Sequence, residues 1–236
     1  MYEFAAIMRY DETLEDQALL PALGPDRLPV LEPGETVLAT LTARGLALYR
    51  DKLASDRCYF RTSEVPIRLT LSSTRLLLTC DKFERGGGWR SPSPGMMLAA
   101  NAISKARAAS RTRGRVLVGQ MRLRWIARLG YQERHNRKSA NTVRLVAQDA
   151  SGPSVLVEIT LDKHTSPHAF TQAVLDAAVA VHQGEPRRLT AEQQDALASL
   201  SLPRFEPASG QLAIVDIPAA LVVARETAFP RAGSPA

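Results

Sequence analysis

Cysteine is nearly absent from this chain of 236 residues, which carries only Cys58 and Cys80. Two thiols cannot staple a disulfide scaffold in a chain this long, and their spacing fits no metal-ligand pattern. Both are expected as reduced, partly buried side chains. A secretory leader is not expected either. Such a leader needs a basic start and then about 7–15 apolar residues. Here Glu3, Asp11, Glu12, Glu15 and Asp16 outweigh Arg9. No window approaches the roughly 20 apolar residues of a membrane span. The longest apolar run, Leu212–Ala224, is short and is interrupted by Asp216 and Pro218. The expectation is a cytoplasmic protein that meets a membrane, if at all, by lying on its inner face.

Nucleotide and metal chemistry also lack their signatures. Gly86-Gly87-Gly88 has neither the G-x-G-x-x-G spacing before a helix nor a Gly-Lys-Ser/Thr ending. His164 and His168 stand four apart near Asp162, but Ser166-Pro167 starts a helix between them, so the two imidazoles need not share a face. No serine lies in a nucleophile elbow and no cysteine has an evident histidine partner. The chain is therefore expected to be no enzyme and to hold no cofactor or metal.

What is present is the composition of an ordinary globular protein, with 45% hydrophobic and 23% charged residues. Residues 1–30 form an acidic lead segment, with a short helix expected over Glu12–Leu20. From Glu35 the pattern has period two, Val37, Ala39 and Leu41 alternating with threonines, which describes a half-buried strand running to Tyr49. Gly45 marks a bulge within it. Ile67, Leu69 and Leu71 then alternate with Arg68 and Thr70. Ser72-Ser73-Thr74 supplies a turn, and Arg75–Thr79 returns as the second arm of a hairpin. After the glycine-rich loop Arg85–Gly95, strand-like runs cover Met96–Ile103, Arg115–Gly119 and Met121–Arg128. A second hairpin joins Thr142–Gln148 to Ser154–Leu161.

One helix is well specified. Ser166 serves as N-cap with Pro167 at the first helical position, and Phe170, Ala173, Val174, Ala177, Ala178 and Val181 form one apolar stripe ending at Gly184. Beyond it, Thr190 and Gln193 make a capping box for a short helix through about Leu200. The division is thus 1–30, a domain over 31–184, and a C-terminal appendage over 185–236.

This order of strands with one closing helix resembles the pleckstrin-homology-like (PH-like) superfold, and within it the GRAM and bacterial PH-like domains. The resemblance rests on Leu31-Glu-Pro-Gly-Glu35, on the hairpin Ile67–Leu78, on Ala102-Ile103 followed by basic residues, and on the ending through Phe170. It covers roughly residues 31–183. It implies a bent barrel or sandwich of about seven strands closed by one amphipathic helix, and a non-catalytic platform for lipids or protein segments. The stretch Ala99–Arg113 is longer and more basic than a compact member needs, and the basic phosphate-holding loop motif of phosphoinositide-binding PH domains is missing.

Charge is the other informative feature. The formal net charge is only +6, but Arg85–Arg144 holds fourteen Lys/Arg residues and one acid, Glu133. Lys105, Arg107, Arg111, Arg113 and Arg115 form one cluster. Arg122 and Arg124 alternate with apolar residues and are expected on one strand face. Arg134, Arg137 and Lys138 lie in the following loop. A shared face of this kind attracts an anionic lipid surface or an acidic protein segment. Nucleic acid is the weaker alternative, because aromatics make up 6% and are not interleaved with the basic strands. A third reading has the acidic appendages folding over the basic face. Trp89, flanked by Arg85 and Arg90, either anchors at an interface or folds back to plug the barrel mouth. Trp125 beside Leu123 is expected in the core.

Overall fold

The computed structural model describes residues 5–9, 20–50, 58–84, 86–87, 93–136, 138–147, 154–184, 189–205, 209–219 and 221–222. Seven strands carry the expected plan: β2 (Val37–Arg50), β3 (Cys58–Ser72), β4 (Arg75–Cys80), β5 (Arg115–Arg122), β6 (Ile126–Gln132), β7 (Thr142–Ala147) and β8 (Val155–Leu161). They are followed by the helix α2 (Pro167–Gly184). Two further strands, β1 (Ala5–Arg9) and β9 (Leu212–Asp216), extend the sheet. The nine strands form one open antiparallel sheet in the order β1-β5-β4-β3-β2-β8-β7-β6-β9. The architecture is mainly β with helices, as the resemblance implied.

Local patterning explains most of it. β7 and β8 alternate buried and half-buried residues without a break and pair from Thr142↔Thr160 to Ala147↔Val155. The register of β2 slips between Ala43 and Gly45 against both of its neighbours, which is the expected bulge. A β-carbon on Gly45 would stand 3.1 Å from the Thr62 carbonyl oxygen. The Ser166 hydroxyl accepts a 3.2 Å bond from the Ala169 N–H, so α2 starts where its cap requires. Phe170, Val174 and Leu175 are buried against β6 and the turn that precedes it. Each contributes about 1.5–3 kcal/mol of gross transfer energy. The capping box of α3 (Ala191–Ala198) is complete, with Thr190 and Gln193 exchanging bonds.

Two expectations are corrected. Met96–Ile103 is not a strand but the first half of α1 (Pro94–Thr112). The run is rich in Ala, Met and Leu, which favour helix, and Pro94 is already set for a first turn. A short apolar run cannot be assigned by periodicity alone. Arg122 and Arg124 do not share a strand face, because β5 ends at Arg122 and Leu123–Trp125 is a single 3-10 turn leading into β6. The Leu123 N–H bonds the Thr74 carbonyl and fixes that corner. The seven strands expected within 31–184 are present, and among the described residues the terminal segments add one more at each edge of the sheet. The helix expected over Glu12–Leu20 lies outside the described residues except for Leu20, which is buried with Val116 and Val118.

The main core fills the space between the two halves of the sheet and α2. Trp125 is fully buried there, as expected. The C-terminal segment reaches the same core through Leu197, Leu202, Ala213, Val215, Ile217 and Leu221. Cys80 is buried, and that burial pushes its thiol up to about 11, which keeps it protonated and unreactive.

Candidate functional site

The helix α1 is unusual in which side it turns outward. Met97, Ala100, Asn101, Ser104, Ala108 and Thr112 are the buried or half-buried positions, most of them at three- and four-residue steps. Apart from Met97, that docked stripe is made of alanines and small polar residues. The exposed side carries more apolar bulk: Met96 and Ile103 at one of its edges are 69% and 54% exposed, and Leu98 at the other is 67% exposed. Ala99, Ala102 and Ala106 lie exposed among them. A surface helix ordinarily turns its apolar stripe to the core, and here the polarity is inverted.

The docking is made by close backbone approach rather than by apolar side chains. Gly86 and Gly87 pass against α1, and the Gly87 N–H donates a 2.8 Å bond to the Ser104 hydroxyl. Gly86 has φ +62°, and a β-carbon there would stand 2.5 Å from the Ser104 carbonyl oxygen and 2.9 Å from the Ala108 side chain. Only glycine fits that notch.

The rows of the outward face run from apolar to basic along the helix. Leu98 and Ala102 lead at helical spacing to Lys105, and Met96 and Ile103 lead to Arg107. No acid occurs between Pro94 and Thr112, and the basic half lies at the C-terminus, where the helix dipole favours it. Lys105, Arg107 and Arg113 are exposed, Arg115 is half-buried, and none of the four makes an ion pair among the described residues. Arg111 reaches Glu84 at 3.4 Å on the surface.

The other expected site residues are placed elsewhere. Arg122 is mostly buried and bonds both oxygens of Glu32, one of them at 2.9 Å. Arg124 is half-buried in the 3-10 turn. Arg134 bonds the Asn136 carbonyl within its own loop at 2.8 Å, and Lys138 is exposed in that loop. Trp89 and Arg137 lie outside the described residues. His168 does not face His164. It meets the Tyr131 ring edge-on and accepts a bond from Arg204, whereas the His164 N–H bonds Asp162.

A buried polar network stands beside these cations. The Arg75 guanidinium bonds Glu35 at 2.9 and 2.8 Å, the Gln120 side chain at 2.6 Å and the Val30 carbonyl at 2.9 Å. Ser72 and Thr74 also donate to Glu35. Burial would raise the Glu35 carboxyl, but the bonds from Arg75, from Ser72 and from the Glu32 N–H outweigh it and hold the group at about 2. The bond from Arg122 likewise lowers Glu32. This network ties the Leu31–Glu35 segment to the first hairpin and fills the hydrogen-bonding capacity of Arg75. Sequence reasoning missed it. Its one signal was that Glu35 and Arg75 lie in the two motifs that carry the family resemblance.

A cleft of about 690 Å³ opens between the second half of α1 and the sheet. Arg27, Lys82, Lys105 and Arg113 line it together with Glu64, Asp81 and Glu84. Arg27 and Glu64, with φ of 64° and 56°, are the non-glycine residues with left-handed backbone among those described. Cations and acids nearly balance inside the cleft, and Arg107 stands outside it on the exposed side of α1.

No protein-family model matches the chain, and no curated protein matches it. Among solved structures it is similar to the Vps36 N-terminal PH domain, at 14% identity over 70% of this chain and 94% of that one, with a TM-score of 0.40. No helix among the described residues is long and apolar enough to cross a membrane.

Proposed function

We propose that this chain is a non-catalytic, PH-like binding module, of the GRAM-like kind, whose basic surface engages an anionic membrane from its cytoplasmic side. The observation that carries the proposal is the division of its cations. Arg75 and Arg122 are consumed by Glu35 and Glu32, whereas Lys105, Arg107, Arg113 and Arg115 make no ion pair among the described residues. Near an anionic bilayer each such side chain is worth about 1 kcal/mol. Glu32 and Glu35, the acids next to the first hairpin, are spent on Arg122 and Arg75 and leave the α1 cations to other partners. An acidic protein segment would use the same surface. Its signature is a complex with acidic peptide and no sedimentation with vesicles.

Co-sedimentation with phosphatidylcholine vesicles, with and without phosphatidylserine, tests the proposal. Binding is expected only to the anionic vesicles. The charge reversal K105E/R107E/R113E removes three attractions, so it weakens binding by about a hundredfold or more. Equal binding to neutral vesicles, or binding that ignores the charge reversal, contradicts it.

A further inference from the structure

We propose that α1 is an interfacial anchor: its outward apolar face, Met96, Leu98 and Ile103, enters the acyl boundary of an anionic bilayer while Lys105 and Arg107 stay at the headgroups. This rests on the membrane reading above and goes beyond it, since charge alone would hold the protein outside the headgroups. The inverted polarity carries the argument. Three large apolar side chains are turned to solvent on a helix whose docked stripe, apart from Met97, consists of alanines and small polar residues. Fold stability gives no reason for that arrangement, because exchanging the two faces would bury more apolar area.

The layout matches what an interface requires. The apolar residues occupy the first half of the helix, which spans about 12 Å at 1.5 Å per residue, and interfacial helices bury about 5–10 Å. The cations continue the same two rows, so a modest tilt places them at headgroup depth. Each has an alkyl stem that reaches through the intervening layer.

Charge selects the membrane over a second copy of the chain. A helix with no acid, packed parallel on its own copy, sets Lys105 and Arg107 against like charges, and packed antiparallel it sets them against an apolar half that offers no counter-charge. An anionic bilayer is complementary to both halves of the helix.

The test uses M96S/L98S/I103S in the full chain. All three positions are exposed, so far-UV circular dichroism and the melting temperature should be unchanged. Its binding to phosphatidylserine vesicles should fall about tenfold or more. A Leu98→Cys protein in a Cys58→Ser background, labelled with an environment-sensitive fluorophore, should brighten and shift to the blue on those vesicles. If the wild type sediments with anionic vesicles but the triple variant binds equally and the label does not shift, the anchor is refuted and the electrostatic reading stands. If the wild type ignores anionic vesicles, that reading falls and the anchor with it. If the triple variant only abolishes self-association, a second copy covers the face and the anchor is wrong.

Discussion

The Ser104 carbonyl oxygen lies 2.5 Å from the point where a β-carbon on Gly86 would stand. That clash is with backbone and cannot be relieved by turning a side chain, and Gly86 also has a positive φ. Gly86→Ala is therefore expected to loosen α1 at a local cost of about 1–3 kcal/mol. Hydrogen exchange should show faster exchange across Pro94–Thr112 with little change in β7 and β8. Unchanged protection in α1 would mean that the Gly86 notch does not hold the helix.

Glu35 and Arg75 form a buried pair in which each satisfies the other. Removing one partner strands the other's charge, so Arg75→Met and Glu35→Gln should each destabilise by about 3–5 kcal/mol. The double variant should lose less than the sum. Urea unfolding measures all three, and additive losses would show that the pair is not coupled.

The same carboxylate sets an acid limit. Its folded value is depressed to about 2 from an ordinary 4.5, so its stabilisation is present above the ordinary value and is lost as pH falls through the folded one. A shift of that size is linked to about 3 kcal/mol. Stability should decline between about pH 5 and pH 2, and Glu35→Gln should flatten part of that decline. A wild-type profile level across this window would contradict the assignment.

Strand β9 closes the β6 edge, and Ala213, Val215, Ile217 and Leu221 sit in the main core. Truncation after Gly210 should lower the melting temperature and promote aggregation through the opened edge. Asp216→Ala removes an exposed pair with Arg128 and should cost under about 1 kcal/mol. A soluble truncated protein with an unchanged melting temperature would show that this strand is dispensable.

Particular residues show what the sequence made legible. The strict alternation of Thr142–Ala147 and Val155–Leu161 and the Ser166-Pro167 start of α2 are local signals, and each marks its element without help from distant residues. The strands β1 and β9 exist because β5 and β6 need edge partners more than 80 residues away, and no local pattern reports that. The α1 segment misleads for a specific reason: its apolar residues point outward, so the usual association of apolar runs with buried strands fails there. Of the ten expected cations, those on α1 lie on one exposed helix, whereas Arg122 was lost to a partner, Glu32, that is distant in sequence.

Wild-type binding to phosphatidylserine vesicles, titrated with salt, tests the central claim most directly. Raising salt from about 0.1 M to about 1 M shortens the screening length from ~10 Å to ~3 Å. A cationic helix that is also inserted should lose most of its affinity yet keep a salt-resistant remainder that M96S/L98S/I103S removes. Equal sedimentation with phosphatidylcholine and phosphatidylserine vesicles at low salt, or none with either, would contradict the account.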